Sequence, residues 1–200
     1  MKTLLLIVSF FLILPSAMAN EKIRGNYDVL NNLPKKHSLK KVIFEEFMNF
    51  GCPHCNNFRN LSTEMKDKYK GRVDFVDIPI LFRGQDDAPL RLYYVAKSLG
   101  KAEEIKNAIF EARFKNNVNV FDSGIINYLA RSLGIGEEYT KQAQNPEITK
   151  AIDAGNQKAD LYGVTATPTI VIAGALKMKI GNSMEDFANH LPETLDDLLQ

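Results

Sequence analysis

The sequence predicts an α/β domain whose sheet is interrupted by a long helical insertion, and three observations carry this. Val42–Met48 and Val73–Pro79 are short, largely apolar runs on either side of a segment with helical spacing, as expected of a strand, helix, strand unit with parallel strands. Residues 88–163 read as helical nearly throughout. Thr169–Ile172 and residues 177–180, separated by Gly174, then read as a hairpin.

Taken in order, residues 1–19 have the build of a secretory leader. Lys2 is the charged start, residues 4–14 are apolar, and Ala17 and Ala19 supply the small side chains of a cleavage site. The apolar run is too short to span a bilayer comfortably, so cleavage after Ala19 and export are expected, with an uncleaved membrane anchor as the rival reading. Residues 20–200 suit one domain, with no repeat, low-complexity tract or linker to divide them. The chain carries 25 Lys and Arg against 24 Asp and Glu, and loss of Lys2 with the leader makes the counts equal. Nothing in that balance favours nucleic acid or an anionic membrane surface.

Residues 27–30 read as a weak edge strand beside Val42–Met48. From Pro53, Phe58, Leu61, Met65 and Tyr69 recur at three- and four-residue steps, and Gly71 stops the helix. The insertion has breaks at Gly100, at 116–122, at 134–136 and at Asn145–Pro146, where Asn145 is placed to cap a helix that Pro146 opens. Tyr93, Tyr94, Phe110, Ile125, Leu129 and Leu133 fall at helical spacing and are expected in the core. Ser183 with Asp186 caps a last helix, which Pro192 is expected to kink or divide. His37 and His190 are isolated and expected on the surface.

The chemistry concentrates at Cys52-Pro53-His54-Cys55, which holds both cysteines of the chain. A disulfide there closes so small a loop that it removes little entropy from the unfolded chain. A zinc site would want four ligands, and no second Cys-x-x-Cys or His pair follows. Redox chemistry is the better explanation. The start of the following helix favours a thiolate at Cys52 through its dipole and unpaired N–H groups. Pro53 costs no hydrogen bond in a first turn, and His54, when protonated or donating, adds to the stabilisation.

A strand ending in Cys-x-x-Cys, a helix, a helical insertion, and Tyr162-Gly163-Val164-Thr165-Ala166-Thr167-Pro168-Thr169 before a hairpin together resemble the thioredoxin superfamily. With an exported chain and Cys-Pro-His-Cys, the resemblance narrows to the periplasmic disulfide oxidoreductases similar to DsbA. It implies a thioredoxin fold with an inserted helical subdomain at about residues 88–163. It also implies that Cys52 is the exposed nucleophile, Cys55 its buried partner, Thr167-Pro168 a cis-proline loop that pairs with substrate, and Glu46 a buried acid beneath the cysteines. Glu46 has a rival reading as a surface residue at a strand end, with Glu45 inward. Two residues depart from the DsbA pattern: Thr167 stands where Val is found, and Arg59 where an acid is found.

The resemblance implies donation of the Cys52–Cys55 disulfide to unfolded or reduced exported proteins, without a cofactor, and recovery through a membrane quinone reductase like DsbB. Residues 20–51 leave no room for the dimerisation domain of DsbC-like isomerases, so a monomer is expected. A reductase or isomerase kept reduced by another membrane partner uses the same residues. A periplasmic metal carrier built on Cys52, Cys55 and His54 is the reading from a different class.

Overall fold

The computed structural model describes residues 22–181 and 183–200; the expected leader and its cleavage site lie outside them. The described chain runs β1 (Tyr27–Val29), β2 (Val42–Met48), α1 (Pro53–Lys68), β3 (Val73–Pro79), α2 (Ala88–Ser98), α3 (Ala102–Phe114), α4 (Ser123–Ser132), α5 (Gly136–Gln142), α6 (Pro146–Leu161), β4 (Thr169–Ile172), β5 (Leu176–Met178) and α7 (Met184–Leu199). The strands form one mixed sheet in the order β1-β5-β4-β2-β3. β2 and β3 are parallel, Val42 facing Val73 and Met48 facing Pro79, and β4 runs antiparallel to β2 with Phe47 facing Thr169.

One expectation is corrected. Residues 27–30 were expected beside β2, but β1 pairs antiparallel with β5, Tyr27 opposite Met178, at the far edge of the sheet. Both flanks of β2 are occupied, by β3 and β4. A short strand with Val29 half exposed suits an edge rather than a slot buried on two faces.

Alternation along β2 sends its side chains to two different layers. Phe44 meets Phe58 and Met65 of α1, Tyr69 at its C-terminal cap, and Phe187, Leu191, Leu195 and Leu198 of α7 in one buried cluster. Phe47, on the other face, packs with Ile78, Val171 and Ala159 of α6. Gly155 of α6 lets that helix come close: a Cβ there would lie 3.2 Å from Cγ2 of Ile78. The insertion, α2 to α6, has its own core of Leu90, Val95, Ile105, Ile109, Phe110, Ile126 and Ile152. That core continues into Met48, Phe50 and Cys55, so the insertion packs directly on the end of β2 where the cysteine motif begins.

Local chemistry explains the helix ends. Asn145, Asp122 and Ser183 each accept a backbone N–H of the helix they cap. Pro192 lies inside α7 without dividing it. The Tyr69 hydroxyl lies 3.2 Å from the Pro192 carbonyl and 2.9 Å from Asp196 Oδ1, which ties the end of α1 to α7. No described helix is long and apolar enough to cross a membrane.

Candidate active site

β2 ends at Met48, the chain turns through Asn49, Phe50 and Gly51, and α1 starts at Pro53 with Cys52 as its N-cap. The turn is tied down. Buried Asn49 donates its side-chain amide to the Ile80 carbonyl at 2.8 Å and accepts the Gly51 N–H at 2.8 Å. Pro53 occupies the first helical position, where its missing N–H costs nothing.

The Cys52 sulfur therefore takes the place that a Ser or Asp oxygen fills in an ordinary N-cap, accepting the Cys55 N–H at 3.4 Å. As a thiol it donates to the Thr167 carbonyl at 3.0 Å. The Thr167-Pro168 peptide bond is cis, and both residues are buried. Both cysteines are free thiols in this structure, Cys52 partly exposed and Cys55 fully buried.

The two sulfurs have opposite proton affinities. The Cys55 thiol as donor, followed by the Thr167 side chain and the amides of Cys55 and His54, lowers Cys52 to about 5 against the cost of burying it. Cys55 is pushed up, first by its bond to Cys52 and then by burial. One sulfur is thus held ready as an anion while the other keeps its proton.

Of the residues the sequence singled out, the structure brings Cys52, Cys55 and Thr167 into contact and sets Pro53 and His54 in the intervening turn. The His54 side chain is exposed, and it is the His54 amide that supports the sulfur anion. Glu46 is buried, and so is Glu45, on the opposite face of β2, which pairs with Lys158 of α6. The contacts of Glu46 are with a buried charge network rather than with sulfur. Ser62 of α1 donates to its carboxylate at 3.2 Å, and Asp77 is its register partner on β3.

Sequence reasoning missed that network. Lys106 of α3, 1 % exposed, binds Asp77 at 2.7 Å and Glu103 at 3.0 Å, and Lys66 of α1 binds Glu103 at 2.8 Å. A signal existed, since Lys106 lies among Ile105, Ile109 and Phe110, on the apolar face of its helix. A cleft of ≈ 610 Å³ lined by Lys66, Asp77, Tyr93 and Glu103 opens over the rim of this network. Among the described residues no three His, Cys, Asp or Glu side chains gather as a metal site.

Burial, and then the charge of Asp77, raise Glu46 to about 7 against the pull of Lys106, Lys66 and Ser62. A carboxyl raised in the folded state stabilises the fold below its unfolded value of 4.5 and loses that contribution as pH rises towards about 7. Glu46→Gln should therefore gain about 2–3 kcal/mol relative to the natural chain between about pH 4 and about pH 8. Urea unfolding of the reduced proteins at the two pH values reads the difference, and parallel pH profiles would refute the assignment.

The thioredoxin family model matches residues 38–191. Among curated relatives, DsbA of Burkholderia cepacia is 29% identical over 185 residues, covering 90% of this chain and 82% of the relative. DsbA of Pseudomonas syringae pv. tomato is 26% identical over 144 residues, covering 72% and 67%. The crystal structure of Pseudomonas aeruginosa DsbA superposes with a TM-score of 0.74 at 23% identity, covering 86% of this chain and 91% of that one. Proteus mirabilis DsbA carrying a non-covalently bound peptide superposes with a TM-score of 0.71 at 19% identity, covering 90% and 99%. With a sulfur anion at the start of α1, a protonated partner one turn on and a cis-proline loop against them, the chain belongs to the thioredoxin family, as a DsbA-like thiol:disulfide oxidoreductase.

Proposed function

We propose that the chain works in the periplasm as a monomeric disulfide donor to exported polypeptides. The observation that carries this is the low proton affinity of Cys52 beside the high one of Cys55. A low-pKa thiolate is a good leaving group, and selective stabilisation of the reduced pair makes its disulfide oxidising.

In the first step a client thiolate attacks the Cys52 sulfur, and the Cys52–Cys55 bond breaks. Its electron pair goes to the Cys55 sulfur, which takes up a proton in its buried setting. In the second step another client thiolate attacks the client sulfur of the mixed disulfide, and Cys52 leaves as the anion that the helix start favours. The client dithiol has lost two electrons and the cysteine pair has gained them. Recovery needs an electron acceptor, for which a membrane quinone reductase like DsbB is the expected partner.

Other residues support this cycle. Pro53 holds the first turn, and the His54 amide stabilises the departing anion, leaving its exposed ring free to meet the client. Thr167 and Pro168 border the sulfur and offer backbone to an extended client segment by strand addition. The peptide-bound Proteus mirabilis relative supports polypeptide as the ligand class. Glu46, at about 7, is placed to exchange protons near neutral pH. The leader at residues 1–19 supports export.

Equilibration against glutathione buffers tests the direction of transfer. A potential well above that of thioredoxin, near the −120 mV end of the range spanned by such proteins, is expected at about that order. The oxidised protein should also convert a reduced client to its disulfide form, and Cys52→Ala should not. A strongly reducing potential would favour the reductase or isomerase reading instead.

A further inference from the structure

We propose that the cleft between α1 and α3 is a subsite for an acidic side chain of the client polypeptide. The inference rests on the oxidoreductase reading and adds a substrate preference to it.

The cleft, ≈ 370 Å³, is lined by Asn56 and Arg59 of α1 and by Phe110, Glu111, Phe114 and Lys115 at the end of α3. It begins one turn beyond the reactive sulfur, since the Asn56 N–H donates to the Cys52 carbonyl at 3.2 Å. Phe110 and Phe114 belong to the same apolar cluster as Cys52 and form the floor.

Arg59 is held in place for this task. Its Nη1 donates to Asn107 Oδ1 at 2.8 Å, its Nε to the Asn56 carbonyl at 3.3 Å, and its guanidinium carbon stands 5.5 Å from the centre of the Phe110 ring. Those bonds fix the fork without neutralising it. Among the described residues no carboxylate lies within ion-pair distance of Arg59 or Lys115, whereas Lys66, Lys106, Lys141, Lys150 and Lys158 all have one. Glu111 is the one acid lining the cleft, so the two cations leave a surplus of positive charge.

A second observation is independent of charge. Among buried side-chain nitrogen and oxygen atoms of the described residues, only Asn56 Oδ1 has no hydrogen-bond partner. An unmet acceptor in a buried position is costly. Asn56 lines the cleft, so a turn of its side chain on client entry would present this oxygen to the backbone N–H of an extended client.

The spacing sets where the acid should lie. Cys52 to Arg59 is seven residues of helix, about 10 Å of axial rise. An extended client covers that distance in about three residues. The subsite therefore reads an Asp or Glu about two to three positions from the attacking client cysteine.

The test uses the oxidised protein and three reduced dithiol peptides that differ only at that position, bearing Asp, Asn or Lys. kcat/KM for their oxidation should favour Asp over Lys by about fivefold at low ionic strength, through KM rather than kcat. High salt should shrink the ratio. Lys115→Glu, an exposed change that leaves packing alone, should abolish or invert the preference, and Arg59→Gln should reduce it. Equal rates for the three peptides, or a preference unchanged in both variants, would overturn the subsite while leaving disulfide donation intact. Failure of the natural protein to oxidise any peptide would overturn both. Capture by phosphatidylglycerol vesicles through Arg59 and Lys115, with no discrimination among peptides, would assign these cations to a membrane surface and reject the client subsite.

Discussion

Iodoacetamide should alkylate Cys52 of the reduced protein at a rate that hardly changes between about pH 7 and about pH 6 and falls only on approach to pH 5, where this sulfur titrates. A thiol at the ordinary value of 9 would lose rate tenfold for each unit over the same range. At about pH 6 the two cases differ by about a thousandfold in the fraction of anion, so the experiment separates them without fine measurement. Cys55, buried and pushed up, should remain unmodified under the same conditions.

The same shift has a stability consequence with a defined sign. A thiol depressed in the folded state contributes stability that is complete above its unfolded value of 9 and is lost as pH falls through about 5. At pH 7 the displacement from about 5 corresponds to about 1.4 kcal/mol for each of two units, which solvent screening at a half-exposed sulfur reduces to about 2 kcal/mol. Reduction should therefore make the protein more resistant to denaturant near neutral pH, against the usual effect of breaking a disulfide. The gain should disappear near pH 5. A reduced form no more stable than the oxidised one at pH 7 would contradict the donor role.

Lys106→Met should destabilise the fold by about 3–5 kcal/mol at neutral pH, because it leaves Asp77 and Glu46 buried without their main cation. Burial alone would lower the Lys106 proton affinity, but Asp77, Glu46 and Glu103 outweigh it and hold it above the ordinary lysine value. Loss of that charge raises Glu46 further, so the deficit should be larger at about pH 8 than at about pH 5. Lys106→Met combined with Asp77→Leu should recover most of the loss, since a buried pair replaced by apolar groups costs little. A single variant within about 0.5 kcal/mol of the natural protein would mean that water reaches the network and screens it.

This network also ties the insertion to the catalytic half of the fold. Lys106 comes from α3, Lys66 and Ser62 from α1, Asp77 from β3 and Glu46 from β2. The Arg59 contact with Asn107 is a second bridge between the same two helices, closer to the motif. The insertion therefore does more than cover the sheet: it supplies the charge that balances two strand carboxylates and one wall of the proposed client subsite.

The amino-acid sequence by itself determined the periods, the caps and the reactive pair. A short, largely apolar run set β2, helical spacing and Gly71 set α1, Asn145-Pro146 opened α6, and two cysteines at a helix start announced thiol chemistry, because each of these follows from interactions among residues close in the chain. Glu46 could be named but not placed. Its surroundings are Ser62, Asp77 and Lys106, between 16 and 60 residues away, and only the tertiary structure brings them within reach. The position of β1 was decided in the same way, since a short edge strand carries too little pattern to choose its partner until the flanks of β2 are filled. Local geometry decides which sulfur ionises; long-range packing decides how buried charge is balanced around it, because Coulomb energy in a low-dielectric interior depends on distances that sequence separation does not encode.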